Sequence, residues 1–337
     1  MRYTDIGGAR VSQIAIGTWH LPPSTDRYED GILRVDRERT MAILKRAYDL
    51  GINFFDTANT YHGTVSETHL HPEKSGNSER ILGEFMRGHD RASLFIATKV
   101  RAEVETFPNG GGLSRKHIMW QVRESLRRLG TDYIDLYQVH WPDPHTDEEE
   151  VMGALNDTVH SGMVHYIGVS NHPWYMVKRM IEVSERSGYE RPVSAQEAYN
   201  IVTRYVERRL VPLMRSRRMT MIAYVPLAQG ILTGKYLKDS GGLSRAEYTP
   251  EMREEVERHR RAASVVSETA SDLGITPAQL SLAWILSMQR RLGISIVPLI
   301  GVSREEQLLE DVEAIDVSLP EWAVSRLCGL YGPDDTL

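Results

Sequence analysis

"NFFDTANTYHG", residues 53–63, runs a short apolar segment into an abrupt aspartate and places a tyrosine five residues later in a polar loop. A strand covered on both faces reads as a continuous apolar run, so this stretch predicts a buried strand that ends at Asp56. The pattern recurs in "QIAIG" (13–17), "INFFD" (52–56), "LFIATK" (94–99) and "IDLYQVH" (134–140). It continues in "VHYIGVS" (164–170), "VSAQEAY" (193–199), "TMIAY" (220–224) and "ISIVPLI" (294–300). Amphipathic segments lie between, such as "RTMAILKRAYDLG" and "SRKHIMWQVRESLRRLG", the latter opening on a capping serine and both closing on glycine. Strands alternating with helices, with no break in composition, predict one α/β domain over residues 1–337, a (β/α)8 TIM barrel. Residues 1–12 read as a short N-terminal hairpin, 225–293 as a long loop and helical insertions after the seventh strand, and 314–337 as a C-terminal helix and tail. A doubly wound open sheet is the alternative arrangement.

Composition narrows the function. A formal charge of −6 offers no global attraction to nucleic acid or to an anionic membrane. The single cysteine, Cys328, rules out an intrachain disulfide and a cysteine metal cluster. "MRYTDIGGARVSQ" lacks the apolar run of a signal peptide, and no apolar stretch approaches 18 residues. The expectation is a cytoplasmic protein with a small-molecule substrate and no nucleic-acid or membrane partner; a homo-oligomer is compatible with it.

In a barrel of this kind the active site lies at the carboxyl ends of the strands. There the sequence places Asp56, Lys99 and His140 on three successive strands, with Tyr61 on the loop just after Asp56. Each alone has a structural explanation: a cap, a solvated lysine, a core histidine. At one level of adjacent strands they form a device for giving a proton to an oxygen on which negative charge develops. Tyrosine, with a pKa of about 10, is a weak acid that a neighbouring ammonium strengthens, a carboxylate orients the ammonium, and an imidazole N–H polarises a carbonyl. Reduction of an aldehyde or ketone requires such a device.

The motifs "FDTANTY", "IATK", "YQVHWPD", "GVSN", "QEAYN", "AYVPLAQGILTGKY" and "GVSREEQLLE" follow one another from Gly17 to Glu310. In that order the chain resembles the aldo-keto reductase superfamily, and in particular its branch of bacterial reductases and potassium-channel β subunits. The resemblance implies a (β/α)8 barrel that reduces a carbonyl reversibly with NADPH, NADH being less favoured. Tyr61 would be the general acid, Lys99 would lower its pKa, Asp56 would pair with Lys99, and His140 would orient the carbonyl. Ser170, Asn171 and Gln196 would hydrogen-bond the nicotinamide carboxamide and Tyr224 would stack on its ring, with Gly17 and Thr18 also binding the cofactor. Leu227, Gln229, Gly230, Thr233 and Lys235 would follow the pyrophosphate. Ser303 and Arg304 would take the 2′-phosphate at a helix start, with Gln307 and Glu310 near the adenine and Gly301 also binding the cofactor. A simple capping box from Ser303 to Glu306 also explains that helix start.

No G-x-G-x-x-G follows a strand, so barrel loops must hold any dinucleotide. Two departures from the family pattern stand out. His62 follows Tyr61 where a glycine is usual, and the helix start expected soon after is delayed to Ser78. Val225 occupies a position where the family usually has serine, which removes a hydroxyl near the pyrophosphate and weakens cofactor affinity. The delayed loop holds His62, His69 and His71, a weak zinc pattern without a cysteine, so no metal is expected. Trp19, His62, Trp141 and Trp174 are the candidate substrate-pocket residues. Two other functions compete. One is a nicotinamide-binding regulatory or redox-sensing subunit with little turnover; the other is a metal-dependent barrel hydrolase, which the lysine and tyrosine disfavour.

Overall fold

The computed structural model describes residues 1–64, 74–237 and 250–333. An antiparallel hairpin of β1 (Tyr3–Ile6) and β2 (Ala9–Ser12) precedes β3 (Ala15–Gly17). A second hairpin, β4 (Pro23–Arg27) with β5 (Leu33–Val35), then α1 (Arg37–Asp49), lead to β6 (Phe54–Asp56). The chain continues through α2 (Asn77–Met86), β7 (Phe95–Val100), α3 (Arg115–Leu129), β8 (Ile134–Val139), α4 (Glu148–His160) and β9 (Val164–Ser170). Next come α5 (Trp174–Ser187), β10 (Ser194–Ala198), α6 (Val206–Arg217) and β11 (Thr220–Tyr224). Two helices, α7 (Pro250–Leu273) and α8 (Pro277–Leu292), precede β12 (Ile296–Ile300), and α9 (Glu305–Glu313) and α10 (Glu321–Cys328) follow it. Strands β3 and β6 to β12 pair in chain order into a closed barrel, β12 returning to β3, and every pairing within it is parallel.

Local chemistry explains the elements. Ser114 caps α3 by accepting the His117 N–H, and Gly130 ends the helix at φ 65°, where a residue with a side chain is strained. Thr276 and Gln279 form a reciprocal capping box on α8, with Pro277 in the first turn. Helix α2 begins at Asn77, one residue before the expected Ser78. Gly76 turns the chain there, and the Ser78 hydroxyl donates to the Thr18 carbonyl (2.9 Å). The N-terminal hairpin plugs the barrel floor: Ile6 and Val11 pack with the inward Phe54, Phe95, Leu136 and Ile222. Among the described residues no helix is long and apolar enough to cross a membrane.

A polar network is buried behind the second and third barrel strands. Glu79 is fully buried and accepts from Thr98 Oγ1 (2.6 Å) and Arg128 Nε (2.5 Å). Arg128 also reaches Gln121, which accepts from Asn59 (3.0 Å) in the loop between Asp56 and Tyr61. Removing one partner of such a pair strands a charge in the interior. Arg128→Met should lower the unfolding free energy by about 3–5 kcal/mol in urea titration, the scale for a broken buried pair. A loss under about 1 kcal/mol, the worth of an exposed pair, would show that the network carries no weight.

Candidate active site

Register sets the floor of the site. Asp56 pairs with Ala97 on β7, and Lys99, two residues on, pairs with Gln138 on β8. Alternation along each strand therefore turns Asp56, Lys99 and Gln138 toward one point. Lys99 is fully buried; its ammonium binds Asp56 Oδ1, donates to the Thr57 carbonyl (2.9 Å) and lies 3.4 Å from Tyr61 Oη. Asp56 Oδ2 accepts from Gln138 (3.1 Å) and Gln196 (2.9 Å), so both carboxylate oxygens are engaged. His140 brings Nε2 to 3.3 Å from Tyr61 Oη and stacks its ring on Trp141 at 3.7 Å. Asp56, Tyr61, Lys99 and His140 thus converge.

The electrostatics qualify one expectation. Burial, then the Asp56 carboxylate, hold the Tyr61 phenol well above its usual pKa, so the ammonium does not acidify it at rest. Lys99 is itself pushed down by burial, against Asp56 and Glu79, which favour its charge. Beside burial, Asp56 contributes at the phenol, because a carboxylate bonded to the ammonium cancels most of its field there. Burial, then the charges of Lys99 and Arg101, hold the His140 imidazole well below its usual pKa, so it is neutral at pH 7.

Above this floor lies a cavity of about 1040 Å³. Of the residues expected at the cofactor, Gly17, Ser170, Asn171, Gln196 and Tyr224 line it. Tyr224 donates to Asn171 Oδ1 (2.7 Å), and Asn171 Nδ2 donates to the His140 carbonyl (3.0 Å), tying the fourth, fifth and seventh barrel strands together. A second arm is lined by Leu227, Gln229, Gly230, Thr233 and Lys235 after β11, and by Gly301, Ser303, Arg304, Gln307 and Glu310 after β12. The β11 loop is strained: Val225, Ala228 and Gln229 have φ of 47°, 47° and 56°. Gly230 continues it at φ 89°, and a Cβ there would come 2.7 Å from the end of the Lys235 side chain. Such strain keeps the backbone close to the cavity, which suits an extended, phosphate-bearing ligand.

Four expectations are corrected. Thr18 is buried off the cavity, its hydroxyl donating to the Asp56 carbonyl (3.0 Å), so it ties β3 to β6. His62 is fully buried beside Thr64 Oγ1 (2.9 Å) and Tyr28 Oη (3.4 Å), because the β4–β5 hairpin covers it. Trp174 opens α5 and faces outward, with the Arg209 guanidinium over its ring, while Trp19 and Trp141 do line the cavity. Ser303 pairs through N–H and Oγ with Gln307 Oε1 (3.1 Å each) and makes no box with Glu306, since α9 starts only at Glu305. His69 and His71 lie outside the described residues, among which no group of three His, Cys, Asp or Glu could hold a metal ion. Sequence reading missed Gln138, although it lies two residues before His140 and shares its face. It also missed His20, Leu21, Pro23 and Leu33, which wall the cavity.

The aldo/keto reductase family model matches residues 13–331. An L-glyceraldehyde 3-phosphate reductase of Escherichia coli K12 is 32% identical over 328 residues, covering 94% of this chain and 87% of that protein. An inferred aryl-alcohol dehydrogenase of Schizosaccharomyces pombe is 32% identical over 350 residues, covering 97% and 94%. An inferred voltage-gated potassium channel subunit beta of the same yeast is 33% identical over 329 residues, covering 94% and 88%. With a closed parallel barrel and a match along nearly its whole length, the chain is an oxidoreductase and belongs to the aldo/keto reductase family.

Proposed function

We propose that the protein reduces an aldehyde or ketone to the alcohol with NADPH, reversibly, and that Tyr61 is the general acid. One observation carries the reading: Tyr61 Oη stands 3.4 Å from the Lys99 ammonium and 3.3 Å from His140 Nε2 at the cavity floor. The relatives named as a reductase and an alcohol dehydrogenase support carbonyl chemistry. The cavity fits a nicotinamide dinucleotide in its donor set: amides and hydroxyls of Ser170, Asn171, Gln196 and Tyr224 at one end, and Lys235 and Arg304 at the other. Bound there, the dinucleotide would supply the hydride.

The chain's own residues would do the rest. Neutral His140 holds the carbonyl oxygen with an N–H, beside the Tyr61 hydroxyl. Tyr61, kept protonated by its surroundings, is loaded over the whole neutral range and gives its proton as the oxygen gains charge. The charge then left on Tyr61 is stabilised by Lys99, which Asp56 holds in place. Leu227, Gln229, Gly230, Thr233 and Lys235 would hold the pyrophosphate, and Gly301, Ser303 and Arg304 the 2′-phosphate, with Gln307 and Glu310 at the adenine.

A nicotinamide-binding regulatory subunit is the second reading, favoured by the likeness to the inferred channel subunit. Turnover separates the two. Tyr61→Phe should lower reductive turnover by roughly 10²–10⁴ while NADPH binding stays within about twofold. The wild-type rate should hold through neutral pH and fall on the alkaline side, as Lys99 loses its proton below the usual lysine range. A wild type that oxidises one equivalent of NADPH and stops would favour the regulatory reading. Near-normal turnover of Tyr61→Phe would remove Tyr61 from the acid role.

Cofactor choice rests on Arg304, exposed at the start of α9 and lining the second arm. A guanidinium offers paired donors to a phosphate, and the helix start adds a favourable dipole. Arg304→Ala should weaken NADPH binding by about 1.5–3 kcal/mol, the scale of hydrogen bonds to a charged group, and NADH binding much less. Equal losses for both cofactors in calorimetric titration would show that Arg304 does not read the 2′-phosphate.

A further inference from the structure

Strand β10 carries two polar side chains in succession, and alternation sends them to opposite faces. Gln196 turns inward to Asp56 (2.9 Å) and lines the cavity. Glu197 turns outward, away from the cavity, yet it is only 2% exposed. A carboxyl in such a place ordinarily has a cation beside it. This one has none: among the described residues no lysine or arginine acts on it. The arginines near the start of α6 are turned elsewhere, Arg204 to Glu207 and to the carbonyls of Cys328 and Tyr331, and Arg209 over the Trp174 ring.

What faces Glu197 instead is the back of the nicotinamide end of the site. The hydroxyl of Tyr205, an exposed ring at the start of α6, donates to Oε2 (3.2 Å). The N–H groups of Asn171 and His172 point toward the carboxyl from the turn after β9, but Oε1 is buried without a hydrogen bond. Asn171 holds a left-handed φ of 58° in that turn, and its side chain accepts from the Tyr224 hydroxyl. On the other side β10 pairs with β11, Ala198 opposite Tyr224, and the Glu197 charge acts on the Tyr224 phenol. The titratable groups around Glu197 are His172, Tyr205 and Tyr224. Burial pushes the imidazole down to about 4 and Tyr224 up to about 12, and raises Tyr205 too, so all three stay neutral through mildly alkaline pH. Burial raises Glu197 to about 8, against the Tyr205 hydrogen bond.

We propose that Glu197 selects between the two redox forms of the cofactor from behind the turn of Ser170 and Asn171: un-ionised it is indifferent, and ionised it favours the oxidised form. This rests on the reading of Ser170, Asn171, Gln196 and Tyr224 as the nicotinamide end of a dinucleotide site. Oxidised nicotinamide is a cation and dihydronicotinamide is neutral, while the rest of the cofactor is the same in both. A carboxylate behind Asn171 and Tyr224, with no cation of its own, therefore attracts the oxidised ring alone. Raising the pH through the Glu197 transition shifts the site toward the oxidised cofactor, the form that accepts hydride from an alcohol.

The test titrates the full chain with NADPH and with NADP+ on either side of the Glu197 transition at about 8, following tryptophan fluorescence. In the wild type, affinity for NADP+ relative to NADPH should rise by at least about threefold across that pH, the scale of a unit charge acting through the interior. Glu197→Gln keeps the shape of the un-ionised acid, so it should bind both forms and lose that rise; any part due to Lys99 remains in it. Tyr205→Phe removes a hydrogen bond that favours the carboxylate, so the rise should move to higher pH. Carbon-13 at the glutamate Cδ reports the ionisation in the unloaded chain, with Glu197→Gln assigning the signal. An equal rise in the wild type and Glu197→Gln would overturn the proposal, as would a Glu197 signal that ionises in the ordinary carboxylate range. A chain that binds neither NADPH nor NADP+ would defeat the dinucleotide reading and the proposal with it.

Discussion

The buried ion pair of Asp56 and Lys99 is the constraint around which the barrel mouth is arranged. Both side chains are almost wholly removed from water, and the desolvation of two charges is a large cost that a direct contact alone does not offset. The protein compensates with neutral donors and acceptors: Gln138 and Gln196 on the carboxylate, the Thr57 carbonyl on the ammonium. Those partners come from the second, fourth and sixth barrel strands, so the pair exists only when the barrel is closed in register. A one-residue slip of any of these strands would turn its partner outward and strand a charge.

Burial first, and then the pair, explain the state of Tyr61. An ammonium alone at 3.4 Å would make the phenol a stronger acid, but the carboxylate on its far side removes most of that effect. The resting tyrosine is therefore a loaded donor. Lys99 stabilises negative charge on the tyrosine only as the proton leaves, which is where stabilisation speeds a reaction. Neutral His140 completes the arrangement, because it adds no second positive charge beside Lys99 and still offers an N–H to the carbonyl.

The barrel was legible because its strands are buried on both faces and end in residues that do not belong in a core. Asp56, Lys99 and His140 interrupt apolar runs, and that interruption is the signal. Gln138 was harder to see, since a glutamine inside a strand has no distinctive chemistry until its partner is known. The β4–β5 hairpin was invisible for a different reason: "PSTDRYEDGILRV" has no apolar alternation, and most of its side chains are exposed or half-buried. Its stability comes from tertiary contacts to Gly63, Thr64 and His62, which no local pattern records. The same contacts misled the reading of His62, a polar residue next to the presumed acid that the hairpin buries. Thr18 and Trp174 show the limit of reasoning by position along a strand end: neighbours in sequence point to opposite sides of the sheet.

The resting protonation state of Tyr61 is the most direct test of this account. Tyrosine labelled with carbon-13 at Cζ, in the full chain, reports phenol ionisation by NMR, and the Tyr61→Phe spectrum identifies the signal. The account predicts that Tyr61 stays protonated at pH 10, where exposed tyrosines are already about half ionised. A signal that ionises near neutral pH would contradict it, and would mean that Lys99 acts on the resting phenol despite Asp56.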